Sequence, residues 1–123
     1  MSARMVTIPT MDHGDVTIPC PAWCTQQYHQ AGGARVDITH TGQDVPLYVP
    51  TPEGKSPLLA LMLEQRPFTE MDPGRDVFVS VELLAGPHPM DPVALDALAA
   101  ALVDNAREVR AMARRLAVLK AAR

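Results

Sequence analysis

Four side chains suited to binding a soft metal fall close together early in the chain. The stretch "IPCPAWCTQQYH", Ile18 to His29, holds both cysteines, Cys20 and Cys24, and the only tryptophan, Trp23. His29 ends the stretch, and His40 follows after ten intervening residues. Thiolates and imidazoles are the donors zinc prefers, in closed tetrahedral sets of four. The C-x3-C spacing is that of a metal knuckle, and the gap between the histidines is longer than in common fingers. Between them, "QAGGAR" can turn the chain back, because Gly32 and Gly33 accept positive φ. Pro19 and Pro21 stiffen the backbone around the first thiol, and Trp23 is placed to shield it from water. Cys20, Cys24, His29 and His40 are therefore the expected ligands of a structural zinc.

Other chemistry competes for the same residues. Reactive dithiols commonly carry two intervening residues at a helix N-terminus, which lowers one thiol's pKa. Here three residues intervene and no helical pattern follows Cys24. A catalytic zinc keeps a position open for water, usually with a carboxylate base nearby, and Asp37 is the acid lying between the two histidines. Two buried free cysteines with surface histidines is the plainest alternative. His13, in "MDHGD", is a substitute ligand for His29 or His40, and His88, in "GPHPMDP", reads as part of a connector. No nucleophile elbow, phosphate loop or dinucleotide fingerprint is present, so no catalytic residue is assigned.

The elements that must position these groups follow from composition and punctuation. A chain of 123 residues is one domain's worth and can bury about two-thirds of its unfolded surface. Aromatics are only 4%, so the core must come from Leu, Val, Ile, Ala and Met. The net charge of -3 points to neither nucleic acid nor an anionic membrane. "MSARMVTIPTMDHGDV" lacks a basic start followed by an apolar run, and no segment is long enough to span a bilayer. The expectation is a cytoplasmic protein, where a lasting disulfide is rare.

All twelve prolines precede Ala94, and neither Pro nor Gly follows Pro92. That division predicts a body of strands and turns followed by one uninterrupted helix. Strands are expected at Val16–Ile18, Arg35–Thr39, Pro46–Val49, Leu58–Leu63 and Val77–Leu84, the last two as an antiparallel hairpin. The helix spans 91–122, with Asp91 as N-cap and Pro92 at its first position. Leu102, Val109, Met112, Leu116 and Leu119 continue a heptad seam, interrupted at Asn105, beyond what a small sheet can cover. That seam predicts a homodimer through the helix, with Asn105 setting its register. Arg110, Arg114, Arg115 and Lys120 beside it are candidate phosphate contacts, or a solvated face that complements the helix dipole.

"CPAWC", then His29, then "HTG" at His40, then "MDPVALDALAAALVDNA" resembles a family of short actinobacterial proteins of unknown function. The resemblance runs from Cys20 to about Ala106. It implies a metal-binding Cys20, Cys24, His29 and His40 cluster ahead of a late strand and a helix, and it implies no activity. This chain departs in its sparse histidine region and its basic extension from Arg107 to Arg123.

The expected fold is α+β: a small antiparallel sheet, an N-terminal Cys/His zinc knuckle and one long C-terminal helix. Residues 1–15 are expected as a flexible segment and 16–123 as one domain, with the knuckle at 16–45, the sheet at 46–86 and the helix at 91–122. The expected function is a non-enzymatic, zinc-stabilised cytoplasmic module acting on an unknown protein partner and on a second copy. A nucleic-acid-associated regulator and a thiol or metal-dependent enzyme are the alternatives.

Overall fold

The computed structural model describes residues 4–26, 28–84 and 88–122. Its elements are β1 (Arg4–Thr10), β2 (Gly14–Cys20), a 3-10 turn (Arg35–Asp37), β3 (His40–Thr41), β4 (Val45–Thr51), β5 (Gly54–Gln65), β6 (Phe78–Leu83) and α1 (Pro92–Ala121). This is the expected α+β class, antiparallel strands followed by one long helix. The chain gathers into two compact units, residues 1–43 with 62–78 and residues 44–61 with 79–123.

In the first unit, β1 and β2 form an antiparallel hairpin with Ile8 opposite Val16 and Val6 opposite Ile18. Residues 1–15 were expected to be flexible, but β1 and its turn occupy residues 4–13, while 1–3 lie outside the described residues. The physical reason is alternation. Val6 and Ile8 turn to the same face as Val16 and Ile18, and Gly14 closes the turn at φ 61°. Ile8, Ile18 and Ile38 are buried together, with Val6, Val16 and Phe68 packed against them.

The strand expected at Arg35–Thr39 is instead a 3-10 turn at Arg35–Asp37. Only Ile38 of that stretch is buried, and Val36 is exposed, so the apolar alternation does not mark a two-sided strand. Asp12 holds the turn by accepting the Arg35 backbone N–H at 2.9 Å, and the Arg35 guanidinium stacks 5.0 Å from the Phe68 ring centre. The short β3 pairs antiparallel with the end of β5, His40 opposite Gln65.

In the second unit, β4 pairs antiparallel with β5 through the two-residue turn Pro52-Glu53. A bulge falls between Leu47 and Tyr48, where Tyr48 pairs with Pro57 and the register skips Leu58. The Leu58 carbonyl accepts instead from the Leu84 N–H at 3.0 Å, beside the end of β6. β5 and β6 do pair, as the expected hairpin requires, but β5 begins four residues earlier than the alternation indicated. Residues 85 and 86 of the expected sheet region lie outside the described residues.

Asp91 caps α1 by accepting the Ala94 N–H at 2.8 Å, and Pro92 is its first residue. The helix packs on β4. At about 1.5 Å per helical residue and 3.3 Å per strand residue, thirty residues of α1 run about 45 Å and seven of β4 about 23 Å, so the strand can cover only half of it. No residue of α1 is buried.

Candidate metal centre

Each of the four expected ligands is brought to the site by a different piece of backbone. Cys20 is the last residue of β2, opposite Arg4. Cys24 follows a turn closed by its own N–H, which donates to the Pro21 carbonyl at 3.0 Å. The Thr25 N–H then donates to the Thr41 carbonyl at 2.9 Å and ties the loop to β3. His40 opens β3, and His29 reaches in from the loop before it. Gly42 makes the close approach possible. A Cβ there would lie 3.3 Å from the Leu63 Cβ and 3.4 Å from the Trp23 carbonyl oxygen, so a larger residue would be tight between β5 and the cysteine turn. Trp23, expected as a shield, is half-buried with its ring against Gly42.

One donor atom from each of Cys20, Cys24, His29 and His40 lies within 4.8 Å of all the others, close enough to hold a metal ion. Donors about 2.0–2.3 Å from a tetrahedral ion stand about 3.3–3.8 Å apart. Cys20 Sγ and His29 Nε2 are already at 3.6 Å. Cys20 and His40 are each 1% exposed and Cys24 is buried. Neither cysteine is in a disulfide.

The surrounding hydrogen bonds fit a ligand set. His29 Nδ1 donates to the Thr39 carbonyl at 3.1 Å, which leaves the lone pair on Nε2, facing Cys20. His40 Nδ1 is buried with no hydrogen-bond partner. An unsatisfied buried nitrogen costs free energy, and a bound ion would relieve that cost. Burial lowers the His40 pKa to about 4, with the neighbouring His29 and Arg4 acting in the same direction. The ring is thus neutral near pH 7, as a metal ligand must be. Burial also pushes the Cys20 thiol up and Cys24 adds to the rise, while Arg4 opposes it. A reactive redox thiol needs a lowered pKa, so this environment does not suit one. A cation at the centre would reverse the effect, because a coordinated thiol is deprotonated outright.

The other candidates are elsewhere. His13 is exposed, with its Nδ1 3.1 Å from Asp12, and His88 Nδ1 lies 3.4 Å from Glu53, so neither joins the group. Asp37 is exposed and outside it. Arg110, Arg114, Arg115 and Lys120 are exposed along α1. Of the expected seam, Leu102 and Val109 are exposed, whereas Met112, Leu116 and Leu119 are half-buried. Asn105 does not stand free in that seam: its side chain donates to the Tyr48 carbonyl at 3.0 Å and fastens α1 to β4.

Sequence reasoning missed two supports of the site. Arg4 donates to the Gln26 carbonyl, and the Gln26 side chain donates to Thr41 Oγ1 at 2.8 Å and to the Thr39 carbonyl at 3.3 Å. Together they strap β1 to the loop that carries His29. The signal for Arg4 was the hairpin register, which sets it opposite Cys20.

Among the described residues, no helix is long and apolar enough to cross a membrane. No curated protein and no solved structure matches the chain. A family model does match, over residues 5–118, which takes in all four residues of the centre and nearly all of α1. The chain belongs to the family described as Domain of unknown function (DUF6907).

Proposed function

We propose that Cys20, Cys24, His29 and His40 bind one zinc ion as a closed structural centre. On this reading the chain is a non-enzymatic cytoplasmic module that acts through protein contacts, one of them with a second copy through α1. The observation that carries the reading is the convergence of two thiols and two imidazoles within 4.8 Å, with three of the four residues buried. Two sulfur and two nitrogen donors are the set zinc favours, and four protein ligands leave no position for a reacting water. Bound there, zinc supplies folding free energy rather than Lewis-acid chemistry. The chain's own part is to hold the donors ready: Thr39 fixes the His29 tautomer, and the Cys24 turn and β3 bring the thiols to His40.

Cobalt substitution tests the proposal. Protein refolded with Co(II) is expected to show the intense visible bands of a tetrahedral ion with thiolate charge transfer. Equimolar zinc should abolish them. A weak octahedral spectrum, or no change on adding cobalt, would overturn the assignment.

A further inference from the structure

α1 carries two apolar stripes, and its contact with β4 accounts for only one. The half-buried stripe includes Leu98, Ala101, Asn105 and Met112, with Asn105 bonded to β4. About a quarter turn around the helix lies a second stripe: Leu95, Ala99, Leu102, Ala106, Val109 and Ala113. Its intervals alternate strictly between four and three, the spacing of a helix-pairing seam. All six residues are exposed, Leu95 at 52%, Leu102 at 43% and Val109 at 40%. Large and small side chains alternate along it, which lets the large residues of one helix settle over the alanines of another.

The charges choose the orientation. Asp91, Asp96 and Asp104 lie in the first half of the helix region, whereas Arg110, Arg114, Arg115 and Lys120 lie in the second. A parallel partner would set like charge beside like. An antiparallel partner sets acid beside base. Asp96 and Arg114 are about five turns apart and fall on the same flank of the second stripe. We propose that a second copy of this chain pairs antiparallel along the Leu95–Ala113 stripe, around a two-fold axis near Asn105 and Ala106. Asp96 of each copy then meets Arg114 of the other. This rests on the homodimer reading above and moves its seam: Met112, Leu116 and Leu119 are half-buried, and the alanines take their place.

Charge reversal tests it, read by sedimentation equilibrium of the zinc-loaded protein. Wild type is expected to be a dimer at tens of micromolar. Because every substitution enters a two-fold dimer twice, Arg114→Glu should weaken association by about tenfold, and Asp96→Lys should also weaken it. Combining the two restores opposite charges and should recover most of the loss. Circular dichroism and metal content should be unchanged throughout, because these positions are exposed. A monomeric wild type would overturn both the seam and the homodimer reading, and would leave the metal centre untouched. A dimer indifferent to the reversals, or not rescued by the combination, would overturn the antiparallel seam alone. Salt-sensitive capture of duplex DNA by a monomeric wild type would assign the basic end to phosphates and likewise overturn the proposal.

Discussion

In the first unit the polar donors are inside: Cys20 and His40 are each 1% exposed. In the second, the thirty-residue α1 has no buried residue, and Leu95, Leu102, Val103 and Val118 are all exposed. One unit has spent its burial on groups that carry a desolvation cost unless they are bound to something. The other leaves apolar surface in water. Both are incomplete by the same rule, because buried polar groups need partners and long exposed apolar stripes need cover. The completing groups proposed above differ in kind: an ion for the first unit and another helix for the second.

The largest expected effect breaks the first unit. Cys20→Ser, Cys24→Ser or a strong chelator removes the centre. Losing even about 3 kcal/mol of the roughly 10 kcal/mol that a structural zinc contributes should lower Tm by about 12 °C. Hydrogen exchange sharpens the comparison: amides of β1, β2 and β3 should lose protection, while those of α1 change little. Melting within a degree or two of wild type would remove the distinction between the units.

The histidines come next. His29→Ala and His40→Ala should each cut metal occupancy severely, whereas His13→Ala and His88→Ala should leave it whole. Elemental analysis of the four variants decides. Loss of metal in the His13 variant would mean that His13 leaves Asp12 and serves as a ligand.

Acid should act on the first unit in the same direction. The His40 pKa is lowered in the folded chain from 6.5 to about 4, so the unfolded chain binds more protons between those values. The stability this neutral ring contributes is present above pH 6.5 and is lost as pH falls toward 4. Thermal melts of metal-free protein across that range should show it. A flat profile would place His40 in a wetter site than its 1% exposure indicates.

Smaller effects belong to the second unit. Asn105→Ala removes the bond to the Tyr48 carbonyl and should cost about 1 kcal/mol without changing metal content. Asp91→Ala removes the helix cap and should also cost about 1 kcal/mol. Denaturant melts measure both. If either variant lost metal, the two units would not be separable in the way described.

The convergence of Cys20, Cys24, His29 and His40 was legible because it depends on residue types and spacing, and chelation chemistry narrows both sharply. α1 was equally legible, since Asp91, Pro92 and the absence of later breakers are local signals. Elements whose pattern is set by distant partners were harder to read. β1 is short, and Val6 and Ile8 gain meaning only once Gly14 turns them onto Val16 and Ile18. Val36 and Ile38 alternate like a strand, yet Asp12 and Phe68, both remote in sequence, hold that stretch as a turn. Asn105 looked like a polar break in a seam, and only the fold shows that it faces the Tyr48 carbonyl.

The central claim is that the buried Cys20–Cys24–His29–His40 cluster is a metal centre and not two idle thiols beside two rings. Elemental analysis of protein purified without a histidine tag, on material never exposed to chelator, tests it most directly. The account predicts about one zinc per chain, with neither thiol titrating until the ion is removed. Metal-free protein whose two cysteines react freely in the native state would contradict it.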